Sequence, residues 1–187
     1  MSVGFHVRIG SHIRDPAMAE KELSAINRIL LRADLPPYQE PTSDPTAGIY
    51  TIFHRFRCLG RARLDHNSAS NFDQLGHRAQ QHLGAKAKML PLLLLGCPLY
   101  FLPIPFAEPL FLDDGYHGRQ PLCSSPQVIS ELVALAKYLN ISLDGSLLSD
   151  ATAQAINDGD EEPQTVWLTT FEAARQSGTH KCALVLT

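Results

Sequence analysis

Eight histidines, four cysteines and two charged runs are the residues of this 187-residue chain whose types and spacing could support chemistry. His77 and His82 lie five apart, about 140° round a helix, so they do not share a ligand face as an i, i+4 pair does. His54 and Cys58 fall on one parity of a strand-like stretch and would need a distant third ligand to hold a metal; a core thiol beside a rim histidine accounts for them as well. Asp65-His66-Asn67 sits in a polar loop, where functional groups often lie. Asp65, His66, His117 and Arg119 are therefore the candidates for acid/base work, against the simpler reading of solvated loop residues. Ser124-Ser125, with His117 and Arg119 upstream, stands at a helix start whose N–H groups could hold an anion, although capping alone explains it. The chain has no HExxH, no GxSxG elbow, no GxGxxG and no GxxxxGKS/T. Covalent and nucleotide chemistry thus have no positive support, and neither a cofactor nor a metal is expected.

Two charge patterns remain. HRFRCLGRAR, residues 54–63, carries Arg55, Arg57, Arg61 and Arg63 without an acid. On a strand or hairpin, Arg55 and Arg57 share a face, as do Arg61 and Arg63, so the ribbon could grip phosphates or carboxylates bidentately. It could equally be an exposed face whose arginines discourage edge pairing. DGDEE, residues 158–162, supplies Asp158, Asp160, Glu161 and Glu162. Acidic loops are generally solvated, but one of this kind can also block a basic, nucleic-acid-directed partner by charge complementarity.

The elements that must position these groups are legible from periodicity. Val3–Ile9 alternates as a half-buried strand. Asp15-Pro16 opens a helix to about Ala33, with Met18, Leu23, Ile26, Ile29, Leu30 and Ala33 as its apolar stripe. Leu35–Gly48 is a proline-rich loop, and Gly48–Leu64 a strand or a hairpin turning near Gly60. Ser70 or Asn71 caps a helix reaching Lys88, with Phe72, Leu75, Ala79, Leu83 and Ala87 inward. The chain is organised around Met89–Gly115, its most apolar run. Prolines recurring every few residues preclude a membrane helix there and leave extended segments near Leu92–Leu95, Leu99–Leu102 and Leu110–Leu112. The part from Pro103 to Pro109 reads as an edge, a bulge or a polyproline-like crossing, with an apolar ligand groove as the functional alternative. Ser125-Pro126 starts a helix ending near Asn140; Ile141–Leu143 is a short strand. Ser149 caps a helix through Ile156, 158–162 is loop, Thr165–Ser177 is a helix closed by Gly178, and Cys182–Leu186 is a final strand.

Helices and strands without regular alternation predict one α+β domain over residues 1–187. Its sheet is largely antiparallel or mixed, with about four to five helices packed on it. Widely spaced cysteines and no visible secretory leader place it in the cytoplasm. A formal charge of -3 and pI near 6.2 argue against a dedicated nucleic-acid binder. The expectation is a cytosolic, bacterial-type accessory protein that binds another protein, immunity- or antitoxin-like, with nucleic acid and membrane set aside. The binding residues would be the four arginines or the acids from Asp158 to Glu162. The alternative is a hydrolase or small-ligand protein with a pocket near residues 103–119.

Overall fold

The computed structural model describes residues 5–7, 9, 15–41, 68–91, 99–113, 119–145, 147–159 and 162–186. The described part is α+β, as the sequence predicts. Five helices accompany a five-stranded mixed sheet in the order β1-β5-β2-β4-β3. The strands are β1 (Phe5–Val7), β2 (Leu99–Leu102), β3 (Leu110–Asp113), β4 (Arg119–Ser124) and β5 (Leu184–Leu186). The helices are α1 (Pro16–Arg32), α2 (Ser68–Leu83), α3 (Ser125–Ala136), α4 (Asp150–Asp158) and α5 (Glu162–His180). β2 pairs parallel with β4; the other three pairings are antiparallel. The strands from the two ends of the chain pair with each other, Phe5 opposite Leu186. No helix among the described residues is long and apolar enough to cross a membrane.

Strand parity divides the core. Tyr100, Leu102, Leu112, Leu122, Ala183 and Val185 turn to one face, where Ile26 and Leu30 of α1 and Tyr38 cover them. Phe101, Cys123 and Leu184 turn to the other, beneath α2, α3, α4 and α5. The central strands are thus buried on both sides, which is why LYFL and ALVL read as continuous apolar runs rather than alternating ones. On the second face α3 packs along α5. Trp167 anchors that seam: its indole N–H donates to the Leu132 carbonyl at 2.8 Å, and its ring stacks on Phe171.

Two polar networks hold the layers in register. The Glu131 carboxylate of α3, 3% exposed, accepts the backbone N–H groups of Lys88, Met89 and Leu90 at 3.0 Å each, together with the Gln127 amide at 3.0 Å. Behind the opposite face, Asn27 clasps the backbone N–H and carbonyl of Tyr38. The Tyr38 hydroxyl donates to Glu40 at 3.0 Å and accepts the Ala183 N–H at 2.5 Å, and Glu40 also accepts the N–H of Ile9. Tyr100 donates across from β2 to Glu22 of α1 at 2.6 Å.

Several boundaries differ from expectation for identifiable reasons. Arg119–Ser124 is a strand, though Gln120 and Pro121 break its apolar pattern; its pairing partners on both sides override local propensity. Ser124, not Ser125, caps α3, accepting the Gln127 N–H, so the helix starts one residue earlier than its proline suggests. Residues 141–143 are not a strand: Asn140 turns left-handed at φ 55°, and the chain goes into a tight turn bridging Asp144 and Leu147. α5 opens at Glu162, so the acidic run is not all loop. It also runs through Gly178 to His180, with Lys181 (φ 52°) taking the left-handed position. Met18 belongs to the solvent side of α1, at 54% exposure. The 103–109 crossing links β2 to β3 without being a strand. Gly48–Leu64 and Leu92–Leu95 lie outside the described residues.

Replacing Glu131 with Ala leaves three consecutive N–H groups without their acceptor and is expected to cost about 3 kcal/mol or more. Glu131→Gln is expected to cost nearly as much, because an amide NH2 would face N–H donors where an oxygen is needed. Urea unfolding measures both; a Glu131→Gln midpoint equal to the parent's would contradict this account.

Burial, reinforced by the neighbouring Glu40, pushes the Tyr38 hydroxyl far above its ordinary 10.0. Burial, with Glu131 nearby, does the same to the Cys123 thiol above 9.0. Both groups are held neutral in the fold, so their stabilisation is complete below those ordinary values. It is lost as rising pH ionises them in the unfolded chain. The urea midpoint is expected to fall between pH 8 and about pH 10.5, and less steeply in Tyr38→Phe.

Candidate functional site

The chain's modest net charge hides a segregation along its length. Residues 1–88 hold twelve Lys and Arg against eight Asp and Glu. Residues 89–174 hold eleven Asp and Glu against Arg119 and Lys137 alone. From Tyr138 to Ala174, 37 residues, there is no Lys, Arg or His, and there are seven acids.

The fold assigns these acids different roles. Glu131 is internal, spent on the backbone of residues 88–90. Glu172 is buried and paired with Arg175 at 2.7 Å. Glu108 is paired with Lys88. Asp144, Asp150 and Asp158 are exposed, and all three lie in the base-free stretch. Asp144 opens the turn closed by reciprocal backbone hydrogen bonds with Leu147, at 3.0 and 2.9 Å, with Gly145 at φ 63° where a side chain would be strained. Ser149 caps α4 by accepting the Thr152 N–H at 3.1 Å, and Asp150 follows in the first turn, where the helix dipole favours a negative charge. Ala153 and Ile156 bury the inner side of α4. Its outer side carries Asp150, Gln154 and Asp158 at four-residue steps, with Ala151 and Ala155 beside them. At 1.5 Å per residue the two carboxylates stand about 12 Å apart along the axis, a distance over which one B-DNA strand carries three to four phosphates. Gln154 donates to Asp158 at 2.8 Å, holding that carboxylate in place.

The other residues singled out in the sequence are distributed as follows. Asp65, His66, His117, Arg55, Arg57, Arg61, Arg63, Asp160 and Glu161 lie outside the described residues, as do His54 and Cys58. Arg119 begins β4 opposite Asp113, and Glu162 begins α5. Ser124 and Ser125 are structural: Ser124 caps α3 and also accepts the Phe106 N–H, while Ser125 donates to the buried Ser177 hydroxyl at 2.7 Å. His77 is exposed, and His82 stacks on Tyr138 at 4.4 Å. Among the described residues no group of three or more His, Cys, Asp or Glu could hold a metal. Asp144 and Asp150 were not singled out in the sequence. The signal for them is the base-free stretch, which a whole-chain charge balance averages away.

Because Asp150 and Asp158 are exposed, the double substitution Asp150→Asn/Asp158→Asn is expected to leave the unfolding free energy within about 1 kcal/mol of the parent. Denaturant titration checks this; a larger loss would show that the fold depends on the pair.

No curated protein and no solved structure matches this chain. A family model described as "Putative DNA-mimic protein" matches residues 1–186. That match overturns the expected immunity- or antitoxin-like inhibitor and, with it, the hydrolase or small-ligand alternative. It also corrects the expected partner, a protein of unstated kind with nucleic acid set aside, because the family is tied to DNA through imitation of it. The physical source of both errors is the charge balance: -3 overall reads as indifferent to the nucleic-acid world, while one contiguous part of the chain is strongly acidic. With 186 of its 187 residues matched, the chain belongs to this DNA-mimic family.

Proposed function

We propose that the protein presents its base-free acidic stretch to the DNA-binding surface of another protein and so competes with duplex DNA for it. The observation that carries this reading is the coincidence of family and charge. In a chain of the DNA-mimic family, residues 138–174 bear seven acids and no base, and Asp144, Asp150 and Asp158 stand exposed on one turn and the helix after it. A basic cleft built for phosphates attracts such a surface at long range, raising the association rate and making affinity fall with salt. Asp160, Glu161 and Glu162 extend the same acidic sequence. Arg55, Arg57, Arg61 and Arg63 stand outside this role, since a basic cleft would repel them. In this reading the chain works as one domain in the cytoplasm, where DNA-binding proteins are at hand and the buried thiols of Cys123 and Cys182 remain reduced.

The test is retention and displacement. Proteins eluted from duplex-DNA cellulose loaded with source-cell lysate are passed over the immobilised chain, and bound proteins are challenged with duplex DNA at constant ionic strength. Retention followed by release into duplex is expected, with retention at least about tenfold weaker on Asp144→Asn/Asp150→Asn/Asp158→Asn, given the strength of close charge pairs across interfaces. Empty retention, or retained protein that duplex fails to displace, would overturn the reading.

A further inference from the structure

We propose that Leu147 is the apolar anchor of the acidic face, the residue that sets how long a docked DNA-binding protein stays. The proposal rests on the mimic reading above and adds a residue that charge alone does not identify. Four large hydrophobic side chains of the described residues are exposed: Met18, Leu31, Tyr138 and Leu147. Met18 and Leu31 sit on α1, which covers the other face of the sheet. Tyr138 is occupied, stacked on His82 with the Lys137 ammonium 4.7 Å from its ring centre. Leu147 stands at 69% exposure between Asp144 and Asp150, both exposed, inside the stretch without a base.

Its backbone is anchored on both sides. Leu143 on one side and Leu148 on the other pack against the core, the two hydrogen bonds between Asp144 and Leu147 close the turn, and the Ser149 cap starts α4 two residues later. The backbone that carries Leu147 therefore has less freedom to lose on docking than an unanchored loop. Its chemistry also suits the occupant. DNA offers its readers apolar contacts as well as phosphates, chiefly the thymine methyl group in the major groove. A DNA-binding surface therefore combines basic groups with apolar ones, and a leucine flanked by carboxylates complements both. Three exposed carboxylates fall far short of the charge density of duplex DNA, one phosphate per about 1.7 Å. Electrostatics of that strength supplies encounter rate and salt sensitivity more than residence, whereas apolar burial at the centre of an interface slows dissociation.

The experiment measures association and dissociation rates, over a series of salt concentrations, for the protein that the immobilised chain retains from the duplex-DNA cellulose eluate. The chains compared are the parent, Leu147→Ala, Leu147→Met and Asp150→Asn/Asp158→Asn. Leu147→Ala is expected to dissociate about tenfold faster, the scale of losing one buried leucine, with association rate and salt slope unchanged. Leu147→Met should keep the parent's dissociation rate within about twofold. The aspartate pair should slow association and flatten the salt slope. A Leu147→Ala dissociation rate within about twofold of the parent's overturns the proposal while leaving the mimic reading intact. A loss that appears in association rate and salt slope instead does the same. If no retained protein is displaced by duplex DNA, the mimic reading fails and this assignment falls with it. Denaturant midpoints equal to the parent's in the Leu147 variants show that the kinetics report the contact and not the fold.

Discussion

A carboxylate taken out of water must find donors, and Glu131 finds four: three consecutive backbone N–H groups at residues 88–90 and the Gln127 amide. Much of the structure depends on this one contact. It joins the end of the α2 segment to the middle of α3, 43 residues further along the chain. Met89 and Leu90 are fully buried, and without Glu131 their N–H groups would face an apolar interior. The side chain thus does for an irregular segment what a ladder partner does for a strand. α3, held at this point, offers its other side to α5 through the Trp167–Leu132 hydrogen bond.

Behind the opposite face the same logic operates with a different group. Tyr38 is drawn under the sheet by Asn27, and its hydroxyl links Glu40 to the backbone just before β5. Glu22, reached by Tyr100, adds a further contact between helix and strand. A sheet covered on both faces leaves no open surface at its centre. The turn and short helix between α3 and α5 lie at its periphery, which is where the proposed site falls. Acidic residues accordingly meet two fates in one chain. Glu131 and Glu172 are desolvated and spent on donors within the fold; Asp144, Asp150 and Asp158 are exposed.

That division bears on how a protein with so small a net charge can imitate a polyanion. What a partner meets is the local field, which decays within about a Debye length, roughly 8 Å at physiological salt. Basic residues concentrated in the first 88 positions do not cancel acids elsewhere unless the fold brings them together. The outward positions of α4 are themselves Asp150, Gln154 and Asp158 among alanines, with no base within the helix. A surface of low charge density also leaves room for an apolar contribution, which a turn with an anchored backbone offers at a lower entropic cost than an unanchored loop.

The helix starts were legible because they are local. Asp15 before Pro16 and Ser149 before Asp150 are capping residues whose side chains reach an N–H two or three positions on, whatever surrounds them. The apolar stripes of α1 and α3 and the LYFL strand were legible for a similar reason: burial imposes a period, and period is visible in one dimension. The α+β class followed from their irregular order. β4 was not legible, because Pro121 and Gln120 spoil its pattern and only the neighbours β2 and β3 make it a strand. The end of α5 was misread at Gly178, since helix packing carried the chain on to a left-handed Lys181. The exposed acids were legible only in part. Asp158 and the acids after it were visible as a run, whereas Asp144 and Asp150, isolated along the chain, gained meaning only on one turn and helix. What the sequence determined by itself was element type, caps and the total of charge, all set by near neighbours. Which acids are spent inside and which face water was decided by the tertiary structure, because desolvation depends on what the rest of the chain places around each carboxylate.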